Sequence, residues 1–99
     1  MSMVDPFGQV FSALADPSRR HVMDFLAVRG TATATELTGE LPITRQAVSK
    51  HLATLAGAGL VSSERRGRET RYRLTVSGRE WDERLGALAN HLERRRERA

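Results

Sequence analysis

Residues 43–61 read Ile43-Thr-Arg-Gln-Ala-Val-Ser-Lys-His-Leu-Ala-Thr-Leu-Ala-Gly-Ala-Gly-Leu-Val61, and this stretch decides the fold. Thr44 can cap a helix N-terminus, because its hydroxyl oxygen accepts from a free first-turn N–H. Val48, Leu52 and Leu55 recur at i, i+4 and i+7 and so share one helix face. At about 100° per residue, Gln46, Lys50 and Ala53 fall on the opposite face, flanked by Ser49 and Thr54. Gly57 and Gly59 suit a C-terminal stop, where left-handed backbone favours glycine. A shorter helical pattern, Thr33 to Leu41, comes before it across a turn at Pro42. Helices joined this way have the shape of a helix-turn-helix, whose second helix lies in the DNA major groove. The plainer alternative is an amphipathic helix with a solvated polar face.

After Gly59 the pattern changes period. Leu60 to Arg65 reads as one short strand and Thr70 to Leu74 as another, joined by Arg66-Gly67-Arg68-Glu69. Gly67 can take the positive φ that a tight connection needs. Thr70, Tyr72 and Leu74 share one face of the second strand, and Arg71 and Arg73 point the other way. Arg65, Arg66, Arg68, Arg71 and Arg73 fall within nine residues. A hairpin of this kind behind a helix-turn-helix is a wing. It can lie along the phosphate backbone and put an Arg into the minor groove, where the negative potential is strongest. Arg71 and Arg73 lie nearer the strand base, where pairing with Glu is the competing use. A solvated hairpin whose arginines only keep its edge soluble is the plainer alternative. The position directly behind a recognition-helix pattern argues against it.

The chain now resembles the ArsR-type (arsenic-repressor-like) winged-helix transcriptional regulators of bacteria. The matching residues are Ala13-Leu-Ala-Asp-Pro-Ser-Arg-Arg20, Glu36-Leu37, Thr44-Arg-Gln-Ala-Val-Ser-Lys-His-Leu52, Ala58-Gly-Leu-Val61 and Arg71-Tyr-Arg-Leu74. They cover residues 7–74 well and the last helix loosely. Each motif is weak alone, and together, in this order and spacing, they are specific. The resemblance implies a cytoplasmic, nucleoid-associated homodimer that binds an inverted-repeat operator in double-stranded DNA and represses transcription.

Composition agrees with that reading. Ninety-nine residues allow one small domain with one modest core. The net charge of +4 favours an anionic partner. Of the 16 basic residues only Lys50 is not Arg, and Arg bonds phosphates bidentately. The chain has no cysteine, which excludes disulfides and thiolate chemistry. No apolar run approaches membrane-spanning length, and the first residues lack the pattern of a signal peptide. Residues 1–5 and the last Arg-rich few are the expected loose ends.

The overall expectation is a mainly α fold with a small β-hairpin: about five helices and a two-stranded wing in a single domain, 1–99. Phe7, Val10, Phe11 and Leu14 form an apolar stripe after Pro6. Asp16 followed by Pro17 starts a second helix, with Val22, Phe25 and Leu26 on its buried side and Gly30 as its stop. Thr33-Ala-Thr-Glu36 and Ser77-Gly-Arg-Glu80 both have capping-box spacing, and Val76 with Trp81 has that of a hydrophobic staple. Trp81, Leu85, Leu88, Ala89 and Leu92 make a second stripe. Two such stripes exceed what one small core needs, and exposed together they would form a large apolar patch. The terminal helices, about 6–15 and 77–96, are therefore expected to form the dimer interface through Phe7, Val10, Phe11, Leu14, Trp81, Leu85, Leu88 and Leu92; the alternative is that the last helix folds back on its own subunit.

No catalytic site is legible. His21, His51 and His91 fall on different helices, His21 as a half-buried residue, His51 on the flank of the recognition helix and His91 at the surface. Glu80, Asp82, Glu83 and Glu93 with nearby arginines read as a solvated face laced by i, i+3 and i, i+4 pairs. Nor is a cofactor implied. Where thiolate-bearing members of the resembled family carry a cysteine pair, this chain has Thr33 and Thr35. The family's other metal site needs Asp-x-His and then His-x-x-Glu or His-x-x-His. Here Arg84 follows Asp82 and Arg94 follows His91 at those spacings, so no metal site is expected. The signal is left to a small organic effector, a partner protein or concentration alone.

The candidate DNA contacts on the recognition helix are Thr44, Arg45, Gln46, Ser49, Lys50, His51 and Thr54. Those on the wing are Arg65, Arg66, Arg68 and Arg71. Gln46 and Lys50 can pair with base edges, and Ala53 leaves room for approach. The competing function is a winged-helix module that binds an acidic protein partner, which would more often show apolar residues on that face. Non-specific DNA packaging would spread basic residues everywhere, whereas these favour the wing and the tail.

Overall fold

A computed structural model of the chain describes residues 6–98. The expected loose end at 1–5 lies outside the described residues, whereas the Arg-rich end expected to be loose is helical to Arg98 as the last part of α5. The elements are α1 (Pro6–Leu14), α2 (Pro17–Arg29), β1 (Ala32–Thr33), α3 (Ala34–Glu40), α4 (Arg45–Gly57), β2 (Val61–Arg66), β3 (Glu69–Leu74) and α5 (Val76–Arg98). The five helices and the wing match the expectation. The sheet has a third strand that the sequence did not suggest. Its order is β1-β3-β2, antiparallel throughout, with Thr33 opposite Arg71 and Arg66 opposite Glu69.

Local chemistry starts and stops most of these elements. The Asp16 carboxylate accepts from the Ser18 N–H at 2.7 Å and the Arg19 N–H at 3.3 Å, capping α2 behind Pro17. Thr33 and Glu36 form a complete capping box on α3, with bonds of 3.1 and 2.9 Å. A cap of this kind is worth roughly 1 kcal/mol. At the end of α4, Gly59 takes φ +77°. Its N–H reaches the Ala56 carbonyl, and the Leu60 N–H reaches that of Leu55, both at 3.0 Å. This paired closure satisfies two orphan carbonyls and turns the chain into the wing.

The start of α5 differs from expectation. The cap is Thr75 rather than Ser77: its hydroxyl accepts from the Gly78 N–H at 2.9 Å and donates to the Gly59 carbonyl at 2.7 Å. The Thr75 N–H also bonds the Leu60 carbonyl at 3.1 Å, so the helix starts where the end of α4 holds it. Val76 is 78% exposed and makes no staple with Trp81.

One core joins the elements. Ala13, Leu14, Val22, Met23, Leu26, Ala32, Leu37, Val48, Leu52, Leu55, Leu60, Val61 and Leu74 are buried together. Leu14 was expected at a dimer seam. Instead it lies in this core, because the end of α1 packs onto α2 and α4. Arg19 holds that end in place, its guanidinium donating to the carbonyls of Ala13 at 2.7 Å and Ser12 at 3.0 Å. Arg20 does the same for the Leu14 carbonyl at 2.6 Å. Helix α5 packs on α2 and β3. The Phe11 and Trp81 rings meet edge to face with centroids 5.7 Å apart. Val10, Trp81 and Leu85 are partly buried against the core, whereas Phe7, Phe11, Leu88 and Leu92 are all more than half exposed. No described helix is long and apolar enough to cross a membrane.

Candidate nucleic-acid interface

Helix α4 buries Val48, Leu52 and Leu55 and turns the rest outward. Thr44 caps it by accepting from the Ala47 N–H at 3.1 Å. Thr44, Arg45, Gln46, Ser49, Lys50, Ala53 and Thr54 are exposed, and His51 is half-buried on the flank. The candidate contact residues of the helix thus share one open, polar face. Arg45 is tied at 2.8 Å to the Thr35 hydroxyl in the first turn of α3, which braces the turn of the motif. His91 is a surface residue, and His21 is exposed rather than half-buried.

The wing is tighter than its sequence suggested. Its strands close over a two-residue turn, Gly67-Arg68, with Gly67 at φ +61° and Arg68 not at positive φ. Glycine at the first central position is the type II′ pattern, whose twist matches that of a hairpin. Arg65 donates to the Gly67 carbonyl at 3.1 Å and steadies the turn. Arg66 has an exposed 3.6 Å pair with Glu64, which is worth little in water and is easily exchanged for a phosphate. Arg68, at the tip, makes no ion pair among the described residues. A trough of about 630 Å³ runs between wing and helices, walled by Arg45 and Ser49 on one side and Arg68 to Tyr72 on the other.

Arg71 departs from the expected contact set. It lies on the inner wall of the trough and donates through all three guanidinium nitrogens: to Thr31 at 3.1 Å, Glu69 at 3.0 Å and Glu36 at 3.1 Å. The pairing with Glu expected near the strand base is thus made by Arg71. Arg73 makes no such pair among the described residues. Glu36, which the sequence shows only as half of a capping box and part of the family motif, here also pairs with Arg71 across the trough. The Thr33 backbone N–H, then the Thr33 hydroxyl and the charges of Arg71 and Arg29, hold its carboxyl below the usual carboxylate range.

Elsewhere, the acidic residues of α5 do not form the expected ladder. Among the described residues no ion pair runs along this helix, and Arg84 lies 5.7 Å over the Trp81 ring. Asp82 instead faces Asp24 of α2 beside a 170 Å³ hollow. Burial, then the hydrogen bond and charge of Asp24 and the charge of Glu83, push the Asp82 carboxyl up to about 7. Among the described residues no cluster of three or more His, Cys, Asp or Glu side chains is placed to hold a metal ion.

Known proteins place this architecture. Residues 14–64 match a family described as a helix-turn-helix domain. The chain is 43% identical over 77 residues to an uncharacterized HTH-type transcriptional regulator, YuzN, of Bacillus subtilis, covering 72% of this chain and 80% of that protein. It spans only 54% and 56% of the length of some other relatives. An ArsR-like transcriptional regulator from Rhodococcus sp. RHA1 superposes with a TM-score of 0.70 at 36% identity, over 91% of this chain and 85% of that one. The homodimeric winged helix-turn-helix DNA-binding domain of a Mycobacterium bovis protein superposes with a TM-score of 0.81 at 26% identity, over 92% and 85% of the two chains. With its complete helix-turn-helix, its basic wing and these relatives, the chain belongs to the ArsR-type winged helix-turn-helix transcriptional regulators.

Proposed function

We propose that this chain, as a single domain, forms a homodimer that binds an inverted-repeat DNA operator and represses transcription without responding to metal ions. The observation that carries the reading is the exposed polar face of α4 beside an Arg-tipped wing, with the trough open between them. Gln46 and Lys50 are exposed on that face and can pair with base edges, and Ser49 can bond a base or a phosphate. The apolar residues that a protein-binding face would show are turned into the core instead. Exposed Phe7, Phe11, Leu88 and Leu92 on the terminal helices support a two-fold seam, and the Mycobacterium bovis neighbour is itself described as homodimeric. Two-fold symmetry puts the half-sites about one turn, ~10 bp, or a multiple of it apart.

Footprinting of the purified chain on the DNA upstream of its own coding sequence tests this reading. A symmetric protected site is expected. Gln46→Ala should cost roughly 1–3 kcal/mol there and far less on random duplex. Equal losses on both would show that Gln46 reads no base. Zinc, cadmium, nickel, copper or arsenite at micromolar free concentration should leave the footprint unchanged, since soft ions need thiolates and the others need converging imidazole and carboxylate. A tenfold or larger loss of affinity with any of them, abolished by His91→Ala, would make the protein a metal sensor.

A further inference from the structure

Val61 and Leu74 root the hairpin in the core, but its exposed outer part has little of its own to fix its angle. Two strands alone are marginally stable in water. Among the described residues the only strand beside them, β1, pairs with β3 over just two residues. Side chains at the base of the trough complete the attachment. Arg71 on β3 stands opposite Thr33 on β1, and Thr33 is also the cap of α3. One oxygen of Glu36 accepts both the Thr33 N–H at 2.9 Å and the Arg71 guanidinium at 3.1 Å. Its other oxygen faces Arg29 at 3.4 Å, whose guanidinium lies 5.4 Å over the Phe25 ring. A single carboxylate thus closes the first turn of α3, holds β3 and meets α2.

We propose that Glu36 and Arg71 are a positioning pair that sets the wing at its working distance from the recognition helix, and that Arg71 itself touches no DNA. This rests on the DNA-binding reading above and assigns a residue role within it. Two features carry it. Each of the three guanidinium nitrogens of Arg71 already holds a protein acceptor, three of its five N–H donors in all, and its side chain is only 25% exposed, so reaching a phosphate would mean giving up bonds it has made. The local charges also cancel, two guanidiniums against the carboxylates of Glu36 and Glu69, so the site offers an approaching phosphate no net attraction. Arg68 at the tip has neither restraint. Arg66 and Arg68 are therefore the cations that meet DNA, and Glu36–Arg71 decides where they meet it.

The chain lacks cysteine, so one readout needs no DNA at all. Cysteines placed at Lys50 and Arg68 take spin labels, and dilution with unlabelled protein isolates the distance within one protomer. A narrow distribution is expected for the otherwise native chain. Glu36→Gln, which keeps an acceptor for the Thr33 N–H but loses the charge, should broaden it. Arg71→Lys, which keeps the charge but cannot reach three acceptors, should do the same. An unchanged distribution in both overturns the proposal. The second readout is binding to a duplex selected by the native chain from a random library. Glu36→Gln and Arg71→Gln should each weaken binding about three- to tenfold, as expected for residues that act at one remove. The slope of log affinity against log salt should stay as in the native chain, whereas Arg68→Gln should lower it by about one. A drop of about one for Arg71→Gln would make it a phosphate contact and sink the positioning role. If selection with the native chain yields no bound duplex, the DNA reading fails, and the label distances still judge the pair.

Discussion

Replacing Gly78 by Ala should loosen the last helix from the body of the protein. A Cβ at this position would run into the carbonyl group of Leu60, a backbone atom with no rotamer to yield. The same carbonyl accepts the Thr75 N–H, and the Gly78 N–H bonds the Thr75 hydroxyl, so the clash falls on the hinge that starts α5. Forcing atoms into a packed site costs ~1–3 kcal/mol. If α5 shifts to make room, the two bonds at Thr75 are lost or stretched at ~1 kcal/mol each. The better helix propensity of Ala returns at most ~1 kcal/mol. These are alternatives, so the net expectation is a loss of about 1–2 kcal/mol, which for a domain of this size lowers Tm by on the order of 5–10 °C.

Gly86 on the same helix is the internal control. Nothing lies within 4 Å of the Cβ that Ala would add there. Gly86→Ala should therefore stabilise by ~0.5–1 kcal/mol through propensity and unfolded-chain entropy. Thermal and urea unfolding of both variants at one protomer concentration measures the contrast, since a dimer's stability depends on concentration. If Gly78→Ala unfolds at or above the temperature of Gly86→Ala, α5 does not begin against Leu60 and the account of its start is wrong.

Three further outcomes are expected. Arg66→Ala with Arg68→Ala should weaken binding to every sequence and lower the salt slope by about one per lost phosphate contact, measured by fluorescence anisotropy over a salt series; unchanged affinity and slope would remove the wing from the interface. Leu88→Asp should yield monomers by light scattering after size exclusion, because an unpaired charge in an apolar seam costs on the order of several kcal/mol; a native chain that is monomeric at high concentration would refute the seam itself. Asp82 has its carboxyl raised from 3.8 to about 7, so the folded chain holds a proton that the unfolded chain has released across that window. Its contribution to stability is complete below pH ~4 and is lost as pH rises through ~7. The pair is largely open to solvent, so the screened effect is ~1 kcal/mol. Asp82→Asn should flatten this part of the stability–pH profile, and an unaltered profile would mean that Asp24 and Asp82 do not share a proton.

What could be read in the sequence was local. The Thr33–Glu36 box, the Asp16 cap, the Thr44 cap and the glycine stop after α4 each depend on residues within one turn of each other. Side-chain period likewise identified the buried face of α4. Most of the differences arise where a distant part of the chain decides. Ala32-Thr33 has no strand pattern and becomes a strand only because β3 lies beside it. Ser77 and Thr75 are both plausible caps by spacing, and Thr75 prevails because Gly59 and Leu60 offer it partners. Leu14 fits an outward stripe as well as an inward one until α2 and α4 are in place. Asp82 looked like part of a solvated ladder because its real neighbour, Asp24, sits on another helix. The candidate contact face of α4 was legible for the converse reason: it is what remains after the core positions are removed. For Arg71 the sequence offered Glu pairing as an alternative to DNA contact but not the partners, which are scattered from Thr31 to Glu69.

The arginines carry a more general point about reading charge. A surplus of basic residues marks an anionic partner for the chain as a whole, yet the structure divides these residues by task. Arg19 and Arg20 serve the last carbonyls of α1, where a guanidinium completes bonds the helix cannot make and opposes the negative end of its dipole. Arg29 and Arg71 converge on Glu36. Arg84 covers Trp81. Each of these positions uses the flat, forked shape of guanidinium or its affinity for a ring face, which the ammonium of Lys does not reproduce. At Arg68, by contrast, no ion pair among the described residues holds the guanidinium, so Arg68→Lys should leave the stability of the fold unchanged. The loss of stability on Arg→Lys therefore distinguishes the arginines that hold the fold from those proposed to face DNA, a division that neither net charge nor position along the chain reveals.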